Sequence, residues 1–390
     1  MKEYKDSGIE WIGQVPKDWE VVRLKTFCNF TYGDSLANED RVEGDIPVYG
    51  SNGIVGYHNK AITHKPCVII GRKGSYGKVN FSQTECFPID TTYFVDDYSA
   101  KCDLKWLNYV LPLLELDKFS KDTGVPGLNR EDAHNKRVPI PESNVQKAIA
   151  DYLDRKTAEI DDLIAKKERM IELLKEERTV IINQAVTKGL DSNVELRDSG
   201  IDWMGKIPED WDIVRMRFLC SIATGNKDTV NREDDGQYPF FVRSPIVERI
   251  STYSFDGEAV LTAGDGVGVG KVFHYYDGKF DYHQRVYMFY RFRKVIGRYF
   301  YYFLSTNLHK VVCRGDAKST VDSIRLPFLQ DFPISFPGMD EQERIVVFLD
   351  KKLSQIDGQV TREVRSVELL KEYRTALISE AVTGKIDVRD

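Results

Sequence analysis

Residues 6–19 read Asp-Ser-Gly-Ile-Glu-Trp-Ile-Gly-Gln-Val-Pro-Lys-Asp-Trp, and residues 198–211 read Asp-Ser-Gly-Ile-Asp-Trp-Met-Gly-Lys-Ile-Pro-Glu-Asp-Trp. So long a match within one chain is beyond chance, and it sets the register for everything downstream. Gly71 with Gly77-Lys78-Val79 returns as Gly264 with Gly270-Lys271-Val272, and Thr123-Gly-Val125 as Ser319-Thr-Val321. Gln146-Lys-Ala-Ile-Ala-Asp-Tyr-Leu-Asp154 returns as Gln342-Glu-Arg-Ile-Val-Val-Phe-Leu-Asp350. The chain is two tandem copies of one module. A period near 195 residues far exceeds the roughly 20–50 residues of a solenoid repeat, so each copy should fold as a domain and the pair should carry a pseudo-two-fold.

Texture changes sharply inside each copy. Residues 1–142 and 191–338 are rich in Gly, Pro, Tyr and Phe and hold short β-prone runs such as Cys67-Val-Ile-Ile70 and Val286-Tyr-Met-Phe-Tyr290. They read as mixed α/β domains dominated by strands. Residues 143–190 and 339–390 follow, and their cores, about 144–187 and 340–383, contain no Pro. Apolar residues recur there at helical spacing: Leu153, Ile160, Ile164, Leu174 in one, Leu349, Ile356, Val367, Leu370 in the other. Each predicts a long amphipathic helix, bounded before by Val138-Pro-Ile-Pro141 or Phe332-Pro-Ile-Ser-Phe-Pro337 and after by Gly189 or Gly384. At about 1.5 Å per residue such a helix extends roughly 65 Å, and its apolar stripe needs a cover. The natural partner is its own duplicate, packed antiparallel as a coiled coil. The predicted fold class is α+β, with two pseudo-two-fold-related mixed α/β domains separated by two long helices.

The bulk properties narrow the function. The chain has 390 residues, 42% of them hydrophobic and 30% charged, as in an ordinary globular protein. A polar N-terminus and no apolar run of about 18 residues argue against a signal peptide or membrane span and predict a cytoplasmic protein. The six cysteines form no C-x-x-C pair and read as buried reduced thiols. A net charge of -6 argues mildly against nucleic acid, but the charge is segregated. Between Asp45 and Glu85 lie Lys60, Lys65, Arg72, Lys73 and Lys78 with no acid, and between Asp281 and Asp316 lie Arg285, Arg291, Arg293, Lys294, Arg298, Lys310 and Arg314 with none. Such stretches suit a phosphate backbone, and equally a solvated face.

With these motifs in order and duplicated, the chain resembles the specificity subunits of type I restriction-modification systems along essentially its full length. The residues that carry the resemblance are Gly8 to Trp19, Tyr49-Gly-Ser-Asn-Gly-Ile54, Gly71-Arg-Lys-Gly-Ser-Tyr-Gly77, Thr123-Gly-Val-Pro-Gly-Leu128 and Gln342-Glu-Arg-Ile345 at the start of a long helix. The resemblance implies two target-recognition domains that each read one half of a split site in double-stranded DNA. It further implies that the long helices, around Leu153, Ile160, Leu174, Leu349, Ile356 and Leu370, dock two adenine methyltransferase subunits, and that restriction-translocase subunits complete the complex. No cofactor is expected on this chain; S-adenosylmethionine, ATP and magnesium belong to the partners.

Gly71-Arg-Lys-Gly-Ser-Tyr-Gly-Lys-Val79 is one residue too long for a P-loop, and Val79 stands where Ser or Thr must reach magnesium. It reads better as a DNA-facing turn in which Arg72, Lys73 and Lys78 approach phosphates and Ser75 and Tyr76 approach base edges. The second copy keeps Lys271 but sets Asp265 against Arg72 and Val269 against Tyr76, as expected of domains that read different sequences. Further candidates for DNA contact are Ser51, Asn52, Thr123, Asn129 and Arg130 in the first copy and Arg243, Arg285, Lys318, Ser319 and Arg325 in the second. Tyr299-Phe-Tyr-Tyr-Phe303 reads as a packed helix rather than a base-stacking platform. His58, His64 and Cys67 lack a fourth zinc ligand and are absent from the second copy. Asp103-Leu-Lys105 downstream of Asp90 is too short a pattern to make a nuclease, and no Asn-Pro-Pro-Tyr-type methyltransferase tetrapeptide is present. A non-catalytic reader is therefore expected, with a pure protein scaffold as the competing class and an autonomous nuclease as the third.

Overall fold

A computed structural model describes residues 3–118, 126–312 and 323–388. The chain divides into two compact units, residues 1–167 with 365–390 and residues 168–364. The two long helices run Ser143–Lys188 and Met339–Val382, and each gives one half to each unit.

In the first unit the repeated Asp-Ser-Gly-Ile segment folds into a turn closed by its own side chains. Asp6 Oδ1 accepts from Gly8 N–H at 2.9 Å and Ser7 Oγ from Ile9 N–H at 3.2 Å, as short polar side chains do where the backbone leaves regular structure. The turn joins strands Tyr4–Asp6 and Gln14–Pro16. Strand Glu20–Arg23 then pairs antiparallel with Arg137–Ile140, so the Pro-bounded segment ahead of the helix is itself a strand. A four-stranded antiparallel sheet follows in the order Thr31–Tyr32, Thr92–Asp96, Cys67–Gly71, Val79–Ser82. A smaller sheet holds Gly53–His58, Ile46–Gly50 and Phe87–Pro88.

The second unit repeats the scheme. Asp198 and Ser199 bond Gly200 and Ile201 as Asp6 and Ser7 bond Gly8 and Ile9. Strand Asp212–Arg215 pairs with Pro333–Phe336. Here, however, the two sheets are one of six strands, because Phe273–Tyr282 runs ten residues without a break and reaches Tyr238–Phe241. In the first unit the corresponding strand stops at Ser82, whose hydroxyl bonds the Thr84 carbonyl at 2.7 Å. That local bond competes with the ladder and turns the chain.

Each domain is keyed to the start of a long helix by the same side chains. Buried Gln146 accepts from Asp103 N–H and donates to the Pro141 carbonyl, both at 2.8 Å. Buried Gln342 accepts from Ile296 N–H at 2.9 Å and donates to the Lys294 and Pro337 carbonyls. Two turns on, Asp154 accepts from Lys105 and Tyr109, and Asp350 from Arg298 and Tyr302. Burial, then the Asp154 carboxylate among other causes, pushes the Tyr109 hydroxyl up to about 12, so it stays a donor.

Within the first unit, Ile149, Ala150, Ile160 and Ile164 share a core with Val367, Leu377, Ala381 and Val382. Early residues of one helix meet late residues of the other, so the halves are antiparallel. Arg374 Nε pairs with Asp161 at 2.9 Å there, and in the second unit Arg178 Nε pairs with Asp357 at 3.2 Å. These are duplicates of one another: the same aspartate and arginine from each copy meet once in each unit. Gly189 and Gly384 end the helices with φ of +77° and +75°, the left-handed conformation that glycine adopts without strain. Cys28, Cys67, Cys86 and Cys220 are buried and Cys102 half-buried, all unbridged. Among the described residues no helix is long and apolar enough to cross a membrane.

Candidate nucleic-acid interface

The fully buried strand Cys67–Gly71 delivers the chain to the first unit's Gly-rich loop. A Cβ on Gly71 would stand 2.2 Å from the Ser75 carbonyl oxygen, so the loop closes this tightly only on glycine. Gly71 N–H donates to the Lys78 carbonyl and Gly77 N–H to that of Gly71, each at 2.8 Å. Lys73, Ser75 and Lys78 are left exposed, while Tyr76 turns inward against the first core. Lys78 Nζ donates to Asn52 Oδ1 at 2.7 Å and to the Asn52 carbonyl at 3.2 Å, which brings the Ser51–Asn52 turn to the same place.

The segment 126–130 lies beside this loop: Leu128 N–H donates to the Arg72 carbonyl at 2.8 Å, and Lys73 bridges Gly127. Buried Tyr93, whose hydroxyl burial raises to about 12, donates to the Leu128 carbonyl at 3.1 Å. The Arg72 and Arg130 guanidiniums stand 4.9 and 5.0 Å from the centroid of the exposed Tyr32 ring. Together these residues line a cavity of about 550 Å³. Asn129 spends its Oδ1 on the amides of Glu131 and Asp132, capping the short helix Arg130–His134.

The second unit holds the same frame. Ile324 N–H donates to the Gly264 carbonyl at 2.8 Å, and Tyr287 hydroxyl to the Ile324 carbonyl at 3.0 Å. These bonds correct the sequence alignment by one residue: Gly264 stands where Arg72 does, and Asp265 where Lys73 does. Pairing of Thr224 with Tyr287, as Tyr32 pairs with Tyr93, puts Thr224 in Tyr32's place. Leu326 follows two residues after Ile324, as Arg130 follows Leu128. Val269 is buried in the second core, as Tyr76 is turned into the first. Asp265 accepts from Arg243 at 2.8 Å and from Arg285, and against the effect of its burial the two guanidiniums hold its carboxyl below the usual range. Lys271 and Arg325 are exposed. Thr123, Lys318 and Ser319 lie outside the described residues.

Tertiary packing claims part of the second basic stretch. Arg298 sits 4.7 Å from the Tyr275 ring and pairs with Asp350, while half-buried Lys310 donates to Asn183 and Asn307. Tyr299, Phe300, Tyr302 and Phe303 are buried in the helix Gly297–Val312, as its aromatic run predicts. Asp103 caps the helix Leu104–Val110 by accepting from Trp106 N–H, and His58 Nδ1 accepts from Val42 N–H. On the long helices Leu153, Ile160, Leu174, Leu349 and Ile356 are buried and Leu370 half-buried. The helical apolar surface left exposed includes Leu163, Met170, Leu173, Val180, Val347 and Leu369. Sequence reasoning missed Tyr32, Tyr93 and the clamping role of Asp265; only the recurrence of Tyr93 as Tyr287 was there to be found.

The two units thus present different side chains on one duplicated frame. The sequence profile of the type I restriction modification DNA specificity domain matches residues 16–173 and again 208–364, and the chain belongs to that family. It is 33% identical over 182 residues to the type I restriction enzyme EcoDI specificity subunit of Escherichia coli, covering 47% of this chain and 40% of that one. It is 24% identical over 430 aligned positions to the MjaVIII specificity subunit of Methanocaldococcus jannaschii, covering 100% of this chain and 98% of that one. Its fold is similar to a chain solved in a study of the assembly and conformational transition of the type I R-M system, with TM-score 0.67 at 16% identity over 95% and 99% of the two chains. It also resembles the HsdS subunit from Thermoanaerobacter tengcongensis, with TM-score 0.55 at 15% identity over 95% and 98%.

Proposed function

We propose that this chain reads a bipartite target in duplex DNA, one half with each unit, and recruits the adenine methyltransferase and endonuclease subunits of a type I restriction-modification complex. One observation carries the reading: the units share backbone bonds, tyrosines and polar locks, yet present Tyr32, Arg72, Lys73 and Arg130 in one place and Thr224, Gly264, Asp265 and Leu326 in the other. A scaffold that binds only protein has no need to vary the loop tips while holding their frame.

Lysines of the loops meet phosphates and the arginines meet base edges. Two methyltransferase subunits dock on the exposed apolar residues of the long helices, Leu173 and Leu369 being duplicates, and restriction-translocase subunits join them. The chemistry, with S-adenosylmethionine, ATP and magnesium, is theirs. The length of the helix pair sets the spacing of the half-sites, and the complex works in the cytoplasm. The test is methylation mapping of host DNA with and without the gene, beside a pull-down of the tagged chain. Loss of N6-methyladenine at one split motif and recovery of a methyltransferase are expected. Unchanged methylation and no methyltransferase would leave the scaffold reading in its place.

A further inference from the structure

We infer that the first unit recognises guanine, through Arg72 and Arg130 held beside Tyr32, and that its half-site contains the corresponding G·C pairs. The inference rests on the DNA-reading function proposed above and adds the base that one half of the interface selects.

Both guanidiniums lie about 5 Å from the Tyr32 centroid, within the range of a cation–π contact. Among the described residues neither has a carboxylate partner, and the Arg72 guanidinium donates from Nη1 to the Asp90 carbonyl at 3.1 Å and lies beside Tyr93. Most of their donors are therefore unspent, and five donors in a rigid fork is what arginine offers. Stacking against a ring restricts the plane of that fork before DNA arrives, so less freedom is lost on binding. A planar, restrained pair of N–H donors matches the O6 and N7 acceptors of guanine in the major groove. The same fork also fits a phosphate, but the neighbouring exposed Lys73 and Lys78 suit that role and leave the two arginines to the bases. Glu131 lines the same cavity, and a carboxylate there is suited to the N4 amine of the paired cytosine. The second unit lacks this device, since Thr224, Gly264 and Leu326 replace all three residues.

The test uses the assembled complex of this chain with its methyltransferase subunits, and duplex oligonucleotides carrying the split motif found by methylation mapping. Each base pair is replaced in turn. In the natural complex, replacing one or two G·C pairs by A·T in a single half-site should weaken binding about tenfold or more. In Arg72→Gln, and separately in Arg130→Gln, one such penalty should fall to roughly threefold or less, while discrimination in the other half-site is unchanged. Tyr32→Leu should reduce both penalties. Arg72→Lys and Arg130→Lys, which keep charge but lose the fork, should behave like the Gln variants and cover the case in which those fail to fold. The inference is overturned if neither half-site has a G·C pair whose penalty depends on Arg72 or Arg130. It is overturned equally if the Gln variants weaken every sequence alike, the signature of phosphate contacts, or if the Lys variants keep full discrimination. In those cases a split motif persists and the reading function stands. Absence of any motif dependent on the chain removes both.

Discussion

The loop that follows Cys67–Gly71 and the loop that follows Phe255–Ala263 are held by matching backbone bonds and put to two uses. In one, a tyrosine sits beside two arginines that have no carboxylate partner among the described residues; in the other, an aspartate draws two arginines, Arg243 and Arg285, onto itself. The first arrangement leaves two cations to act separately, whereas the second fuses them into one fixed group with a single net positive charge. Duplication therefore preserved what holds the loops and released what they display.

The comparison is sharpest where the frame is strongest. Gln342 makes three hydrogen bonds and Gln146 two, all from buried side chains. Gln342→Ala should destabilise the protein by about 3 kcal/mol or more and Gln146→Ala by about 2, because each orphans buried backbone groups. Denaturant unfolding followed in both variants checks the order; equal losses would mean that the shared lock is not graded by bond count.

Next comes the clamp. Asp265→Ala should release Arg243 and Arg285 and cost about 2 kcal/mol of binding through the second half-site, with selectivity there relaxed and the first half-site untouched. Competition binding of the complex against half-site variants reads both effects. A uniform gain in affinity would instead show Asp265 acting as a repulsive charge.

Removing single lysines should separate the units less. Lys73→Ala and Lys271→Ala are each expected to lower the slope of log affinity against log salt by about 1, without changing sequence preference. Titrations at several salt concentrations measure it, and a changed preference would make the lysine a base reader.

The smallest effect concerns pH. Burial holds the His134 imidazole below its ordinary value, and its Nε2 accepts from Phe30 N–H at 3.1 Å. A depressed folded value means that the neutral ring's contribution is present above the unfolded value of about 6.5 and is lost as pH falls through the lower folded one. The second unit has Gln330 at this position. His134→Gln should therefore narrow the difference in melting temperature between pH 7.5 and pH 5.5 by a few degrees. An unaltered difference would assign the acid sensitivity to other groups.

Much of this was legible in the sequence because duplication supplies an internal comparison. The repeated Asp-Ser-Gly-Ile turn, the Pro-free helical segments, Gly189 and Gly384, and the buried aromatic run of the second unit depend on local propensity and apolar period, which a linear reading captures. Alignment also found the Gly-rich loops, but it matched Gly71 to Gly264 and slipped one residue. Identity of side chains misled there, where hydrogen bonds from Leu128 and Ile324 settle the register. The basic stretch 282–315 read as one surface because sequence counts charge without partners; folding gave Arg298 to Asp350 and Lys310 to two asparagines.

By itself the sequence determined that the protein is one module written twice, where its long helices lie, and to which family its motifs belong, since repetition and periodicity are properties of order along a chain. Only the tertiary structure decided which side chains stand together at each loop. Tyr32 is 40 residues from Arg72 and 98 from Arg130, and Arg243 is 22 from Asp265. Contacts across such distances are fixed by strand pairing and by the backbone bonds that lay one segment on another, and no local pattern announces them.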